Sequence, residues 1–311
     1  MTESPRKSHL VLPDGRQLAR SEWGPEHGAP VLFCTGAGMS GSLGFGVEHL
    51  DSLGVRLIAI DRPGLGRSSH DPEKSLSSWA SDVETLIAKL GLADPGAVGF
   101  SQGGPFALAL AARGLVKAVA LVSAQNDLGH PAIRSLLPEQ VAGMVDAART
   151  DPGGFEAQMA RMATDEFLWT LIRDMSAPCD REIYESPDFA PQYRTSLQEG
   201  FAQGAAGYAR DLVIALNEWP FALEEIATPV DLWYGALDTS PVHSPDFGRT
   251  LASRLPAASL TVDPDRGSSL LWTRSRKSWR NSWRTDRGLK RGKLSVLNPD
   301  SNKAGCSCPA L

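Results

Sequence analysis

Histidine is scarce in this chain of 311 residues: there are six, and none lies beyond His243. Cysteine is scarcer still. Cys34, Cys179, Cys306 and Cys308 have neither the number nor the spacing of a zinc or disulfide framework. Cys306 and Cys308 form a CxC pair with no neighbouring histidine, so a free tail is expected there rather than a metal site. No metal and no organic cofactor is implied. Long apolar runs are missing too, and no stretch approaches a membrane span. The opening "MTESPRKSHLVLPDG" has no apolar segment of the signal-peptide kind. A cytoplasmic, reduced protein is the expectation.

The net charge of −5 conceals an asymmetry. Residues 274–311 hold ten Lys/Arg against Asp286 and Asp300, a net +8. The other 273 residues hold 21 basic side chains against 34 acidic ones, a net −13. An acidic body argues against nucleic acid as the main partner.

What the chain does contain, at 42% hydrophobic content, is enough apolar material for a large core. "SHLVLPDGRQLARSEWG" reads as two strands around an Asp14-Gly15 turn. "APVLFCTG", "VRLIAIDRPG", "GAVGFSQGG" and "VKAVALVSA" are short β-branched runs stopped by glycine or small polar residues, the texture of buried parallel strands. Between them, Leu76, Trp79, Val83, Leu86, Ile87 and Leu90 share one helical face, with Gly91 as a stop. From residue 128 to 226 the pattern becomes helical and rich in methionine. Strand character returns at 229–235 and 257–264. The expected organisation is a mostly parallel α/β core in two parts, 1–127 and 227–273. A helical cap or lid covers 128–226, and an atypical basic tail covers 274–311.

The strongest chemical signal is Gly99-Phe100-Ser101-Gln102-Gly103, which follows a strand and opens a helix. A turn that tight leaves no room for Cβ atoms at Gly99 and Gly103, and it pushes the Ser101 hydroxyl to the tip. The Gln102 N–H, at a helix N-terminus, points where an oxyanion would form. After the strand "VLFC", Gly36-Ala37-Gly38 is expected to expose a second backbone donor, that of Ala37. Asp61 and Arg62, in "IDRPGLGRSS", fix a turn rather than perform chemistry. Asp238 follows the strand "DLWYG", at the strand end where open α/β sheets place their sites. A helix N-cap for the segment beyond it is the competing role.

With these pieces in order, residues 13–272 resemble the α/β-hydrolase superfamily, in its cap-bearing branch. The resemblance is carried by "TGAGMSGS" at 35–42, "DRPGLGRSS" at 61–69, "GFSQGGP" at 99–105 and "LWYGALDTSPVH" at 232–243. It implies a mostly parallel sheet flanked by helices and a serine hydrolase acting on a small ester or related acyl substrate. It implies Ser101 as nucleophile, the Ala37 and Gln102 amides as oxyanion donors, and Asp238 as acid, with Asp127 in an alternative acid position. Acyl transfer or cofactor-free perhydrolysis on the same fold is a further expectation.

Two departures from the pattern matter. Thr35 stands where the superfamily usually has histidine before the oxyanion glycine. Ser268, in "GSSLL", stands where the catalytic histidine should follow the last strand, and a serine hydroxyl has no useful basicity near pH 7. Among the six histidines, His130 and His243 are the reserve candidates. Each reads first as a solvated loop residue, so the sequence offers no convincing base. A catalytically inactive protein that binds a small molecule or a partner is therefore the alternative expectation.

The tail is a separate anomaly. Trp279 and Trp283 sit one helical turn apart among nine basic residues, where an amphipathic helix should finish the fold. One choice of codons for residues 276–283, read two bases later, encodes "EVLEELL", a helix of the missing kind. A frameshifted reading is the resulting expectation. The oligomeric state is not legible.

Overall fold

The computed structural model describes residues 4–273. The basic tail, its frameshift expectation and the Cys306/Cys308 pair lie outside the described residues.

Eight strands form one sheet: β1 (Arg6–Val11), β2 (Gln17–Trp23), β3 (Ala29–Cys34), β4 (Val55–Ile60), β5 (Gly96–Phe100), β6 (Val119–Val122), β7 (Val230–Gly235) and β8 (Ala258–Asp263). Their order is β1-β2-β4-β3-β5-β6-β7-β8. The β1–β2 and β2–β4 pairs are antiparallel, and the others are parallel. All the apolar runs read from the sequence are strands. The Asp14-Gly15 turn joins the first two, with Gly15 at φ 87°.

The helices among the described residues are α1 (Leu50–Leu53), α2 (Leu76–Leu90), α3 (Gly103–Ala112), α4 (Pro131–Arg134), α5 (Glu139–Thr150), α6 (Pro152–Met162), α7 (Asp165–Met175), α8 (Pro178–Tyr184), α9 (Ala190–Gly200), α10 (Ala206–Leu216), α11 (Arg249–Arg254) and α12 (Leu270–Thr273). None is long and apolar enough to cross a membrane.

Because side chains alternate along a strand, each central strand feeds two cores. Leu32, Cys34, Ile58, Ile60, Leu121 and Leu232 pack with α2 and α3. Val31, Phe33, Leu57, Ala59, Val98 and Phe100 pack in the other cluster, which is continuous with the helices between β6 and β7. Helix α2 is the first core's clearest sequence product. Ser75 and Ser78 close a capping box at its start, and Gly91 ends it at φ 60°. Its Trp79 is fully buried, edge-on to Phe106, and donates its ring N–H to the Phe106 carbonyl at 3.1 Å. Truncating such a residue to alanine costs about 3–5 kcal/mol.

Helices α4–α10 occupy the interval between β6 and β7 and rest on the loops after β3 and β4. Ser196 and Ser40 exchange two hydrogen bonds, the Ser40 N–H donating at 2.9 Å and the Ser196 hydroxyl donating back at 3.0 Å. A Cβ on Gly200 would collide with the Gly38 carbonyl, and one on Gly207 with that of Gly64. Beneath lies a fully buried charge cluster. Asp211 of α10 meets Arg62 at 2.7 Å and Lys74 at 2.6 Å. Arg62 also donates to the Thr35 carbonyl at 2.6 Å and the Gly36 carbonyl at 3.0 Å. The loop after β3 is thereby tied to α10.

Candidate active site

The turn between β5 and α3 carries Ser101 at φ 50°, a left-handed conformation that costs a non-glycine residue of order 1–3 kcal/mol. Its neighbours make the turn feasible. A Cβ on Gly103 would strike the Cys34 and Thr35 carbonyls, and one on Gly99 would lie 2.9 Å from the Ala107 side chain. The Ser101 carbonyl accepts from Gly104 N–H at 3.0 Å and Gln125 N–H at 2.9 Å, which fixes the tip.

His243, not residue 268, faces this serine. Its Nε2 lies 2.9 Å from Ser101 Oγ, and its Nδ1 lies 2.8 Å from Asp238 Oδ2. A carboxylate only accepts, so Nδ1 carries the ring proton, and Nε2 is left to accept from the Ser101 hydroxyl. The reading of His243 as a solvated loop residue is thus corrected: it is buried, with 8% of its surface exposed. The same correction applies to the expectation that no base is within reach.

One short loop supplies both the carboxylate and the imidazole. Asp238 Oδ1 accepts from Ser240 N–H at 2.9 Å, and His243 N–H reaches back to the Ser240 carbonyl at 3.4 Å. Asn126, after β6, donates its N–H to the His243 carbonyl at 2.8 Å and its side-chain amide to Ser244 at 3.0 Å. Asp238 does not cap the next helix: Gly248 is the N-cap of α11, and Asp246, two residues before it, accepts from Gly248 and Thr250 N–H.

The remaining candidates separate cleanly. Ala37 and Gln102 both line the cavity beside Ser101. Asp127 faces arginines, 3.1 Å from Arg254 and 3.6 Å from Arg149, and makes no hydrogen bond to His243. His130 precedes α4, and its Nδ1 is buried without a hydrogen-bond partner among the described residues. It makes no bond to Ser101. Thr35 fills the place of the usual histidine by donating its hydroxyl to the Met39 carbonyl at 3.0 Å.

Ser268 is buried, and its surroundings are polar. Its N–H and that of Ser269 both donate to Asp180 of α8, at 2.8 and 2.9 Å. Its carbonyl accepts from the Ser123 hydroxyl at 3.2 Å, and its own hydroxyl lies 3.0 Å from the Tyr184 hydroxyl. Burial, with Tyr193 and then Asp180 and Asp238 nearby, pushes the Tyr184 phenol well above its ordinary value despite the Ser268 bond, so it stays a neutral donor. Sequence reading assigned no role to Tyr184 or Asp180.

The cavity measures about 310 Å³. Its apolar wall comes from Phe100 of the sheet and from Val141, Met144, Leu168, Leu171 and Leu212 of the helices between β6 and β7. Among the described residues no three His, Cys, Asp or Glu side chains are grouped to hold a metal ion. The arrangement can move a proton from a hydroxyl to an imidazole braced by a carboxylate, next to a largely apolar cavity.

Residues 29–275 match the model of the alpha/beta hydrolase fold family. Over 124 residues the chain is 34% identical to a non-heme chloroperoxidase of Streptomyces lividans, a match covering 37% of this chain and 44% of that one. The chain spans less than half the length of the curated relatives it matches. The structure resembles the enol-lactonase from Burkholderia xenovorans LB400 and the bromoperoxidase from Bacillus anthracis. Each superposes with a TM-score of 0.63 at 20% identity, over 88% of this chain and 96% of the other. At that identity the likeness concerns the fold.

Proposed function

The chain belongs to the alpha/beta hydrolase family, and we propose that within it the protein is a serine hydrolase of small esters that draws its base, His243, from the loop of its acid, Asp238. The observation that carries this reading is the unbroken relay from Asp238 through His243 to Ser101, with links of 2.8 and 2.9 Å. A nucleophile, base and orienting acid within hydrogen-bond reach form the arrangement that acyl transfer needs.

In this reading the Ser101 oxygen attacks the ester carbonyl carbon while its proton passes to His243 Nε2. The carbonyl oxygen becomes an oxyanion held by the Ala37 and Gln102 N–H groups, both beside the cavity. As the tetrahedral intermediate collapses, His243 returns the proton to the departing alcohol and Ser101 keeps the acyl group. Water, deprotonated by His243, then releases the acid and restores the serine. Asp238 holds the imidazole in the right tautomer throughout. The helices between β6 and β7 act as a cap that keeps the site apolar, in a protein that works in the cytoplasm.

The alternative of an inactive binding protein rested on the missing imidazole after β8, and a histidine 2.9 Å from Ser101 removes that ground. Perhydrolysis has the peroxidase names of two similar proteins in its favour. It differs only in the second step, where peroxide replaces water as the nucleophile on the acyl group. Hydrolysis of a short p-nitrophenyl ester by the full chain and by Ser101→Ala tests the reading. Turnover lost in the variant supports it, and equal rates in both sink it. Product analysis with and without peroxide separates hydrolysis from peracid formation.

A further inference from the structure

The position expected to hold the catalytic base holds a hydroxyl pair instead, and the cavity around it carries no charged side chain. The cavity lining includes no Asp, Glu, Lys or Arg among the described residues. A charged substrate group would surrender its hydration there without gaining an ion partner, at a cost of several kcal/mol. At about 310 Å³ the cavity lies at the small end of the range for ligand pockets, which suits a small substrate.

Tyr184 and Ser268 both line this cavity, and their hydroxyls lie 3.0 Å apart. Between them they have two protons. One makes the bond that joins the pair, whichever of the two donates it. The other is left for a group outside the pair, since neither hydroxyl has another hydrogen-bond partner among the described residues. The pair is also held in place. Asp180, fully buried, spends one carboxylate oxygen on Ser268 N–H and the other on Ser269 N–H, and Ser123 anchors the Ser268 carbonyl. A Cβ on Gly267 would collide with the Asp180 carboxylate, so the chain passes close against this anchor. Tyr184 is packed by Phe189, Tyr193 and Trp272, with ring centroids 5.5 to 6.1 Å away. A fixed neutral donor in an apolar wall is a recognition element.

We propose that the pocket selects a small uncharged ester carrying a second hydrogen-bond acceptor, and that the Tyr184–Ser268 pair donates to that acceptor. The inference rests on the hydrolase reading for its reaction, but not for its binding. Ser268 thereby serves specificity, while His243 supplies the base.

The test uses four methyl esters of similar length: methyl hexanoate, its 4-oxo and 5-oxo analogues, and the carboxylate-bearing monomethyl adipate. Hydrolysis is followed by pH-stat with the full chain, Ser268→Ala, Tyr184→Phe and the double variant that combines them. The expected result is a kcat/KM about tenfold higher for the better keto ester than for methyl hexanoate, the worth of one uncharged hydrogen bond. That ratio falls to about one in the double variant, because either hydroxyl left alone keeps a proton to donate. Monomethyl adipate is expected to be at least a hundredfold poorer than methyl hexanoate. No keto preference, a preference that survives in the double variant, or good turnover of the adipate overturns the proposal. If no ester is turned over at all, the hydrolase reading fails. Calorimetric binding of N-methylhexanamide and its two keto analogues to Ser101→Ala then decides the pocket by itself, with a tenfold keto preference expected and equal affinity refuting it.

Discussion

Exchanging the two candidate base positions separates this reading from one in which residue 268 is simply a broken base. His243→Ala removes the group that receives the Ser101 proton. General-base assistance is worth ~10²–10⁴-fold, so kcat/KM should fall by that factor, or about 3–5 kcal/mol of transition-state stabilisation. The fold should survive. The Asn126 N–H bond to residue 243 uses the backbone carbonyl, and Asp238 keeps its Ser240 N–H donor at 2.9 Å. Loss of the imidazole leaves one buried carboxylate oxygen without its partner, at about 1–3 kcal/mol of stability. His243→Gln, polar but not basic, should lose activity to a similar extent.

Ser268→His is the complementary change. Residue 268 is 4% exposed, with Tyr184 3.0 Å from its hydroxyl, so an imidazole there overpacks the site by about 1–3 kcal/mol. Activity should stay level or drop, because the base position is already filled. The assay is initial-rate hydrolysis of a short p-nitrophenyl ester, with Ser101→Ala as baseline and thermal melts to confirm folding. A gain of tenfold or more in Ser268→His, or an undiminished rate in His243→Ala, refutes His243 as the base.

Three stability predictions follow from the same contacts. Gly103→Ala drives a Cβ into the Cys34 and Thr35 carbonyls, backbone atoms that cannot turn aside, and should cost at least ~2 kcal/mol by urea unfolding. Asp211→Ala strands Arg62 and Lys74 in the core and should cost about 3–5 kcal/mol by the same measurement; burial already pulls the Lys74 ammonium below its ordinary pKa, opposed by Asp211. Burial tends to raise the Asp246 carboxyl, but donors from Thr250, Ser244 and Gly248 outweigh it and hold the group below its ordinary value. A depressed carboxyl stabilises the fold above its unfolded pKa of ~4 and loses that contribution as pH falls through the folded value. The Tm gap between wild type and Asp246→Asn should therefore be steady from neutrality to about pH 5 and close below it.

The fold was legible because its signals are local. The central parallel strands are apolar runs of four to six residues halted by small or turn-forming residues, as in "VRLIAIDRPG" for β4 (Val55–Ile60). Helix α2 shows a clear apolar face with a glycine stop at Gly91. The Arg62–Lys74–Asp211 cluster was not legible. Asp211 lies 149 residues from Arg62, and no periodicity or turn rule connects them. Asp61 fixes its turn, accepting from Gly41 and Arg67 N–H at 2.5 and 2.9 Å, whereas the Arg62 side chain leaves the turn for Asp211 and the Thr35 and Gly36 carbonyls. The reach of Arg62 to the carbonyls before Ala37 emerges only when the strands are in place.

The site was half legible, for a reason that lies in the loop after β7. A serine at the tip of a glycine-flanked strand–helix turn is encoded in five consecutive residues, and the acid follows a strand end. The base was sought after β8 because that is its usual place in chain order. Yet a relay needs only position, and "DTSPVH" holds the acid and an imidazole five residues apart with a proline between them. Fully extended, five residues would separate the two by ~17 Å. Turned back by the Asp238–Ser240 and Ser240–His243 hydrogen bonds, they come to 2.8 Å. A loop that short leaves acid and base little freedom to separate, so holding the relay costs less chain entropy than pairing groups from two distant segments. It also releases residue 268 from acid–base work, and a neutral hydroxyl can stand in the pocket wall where a titrating ring otherwise would.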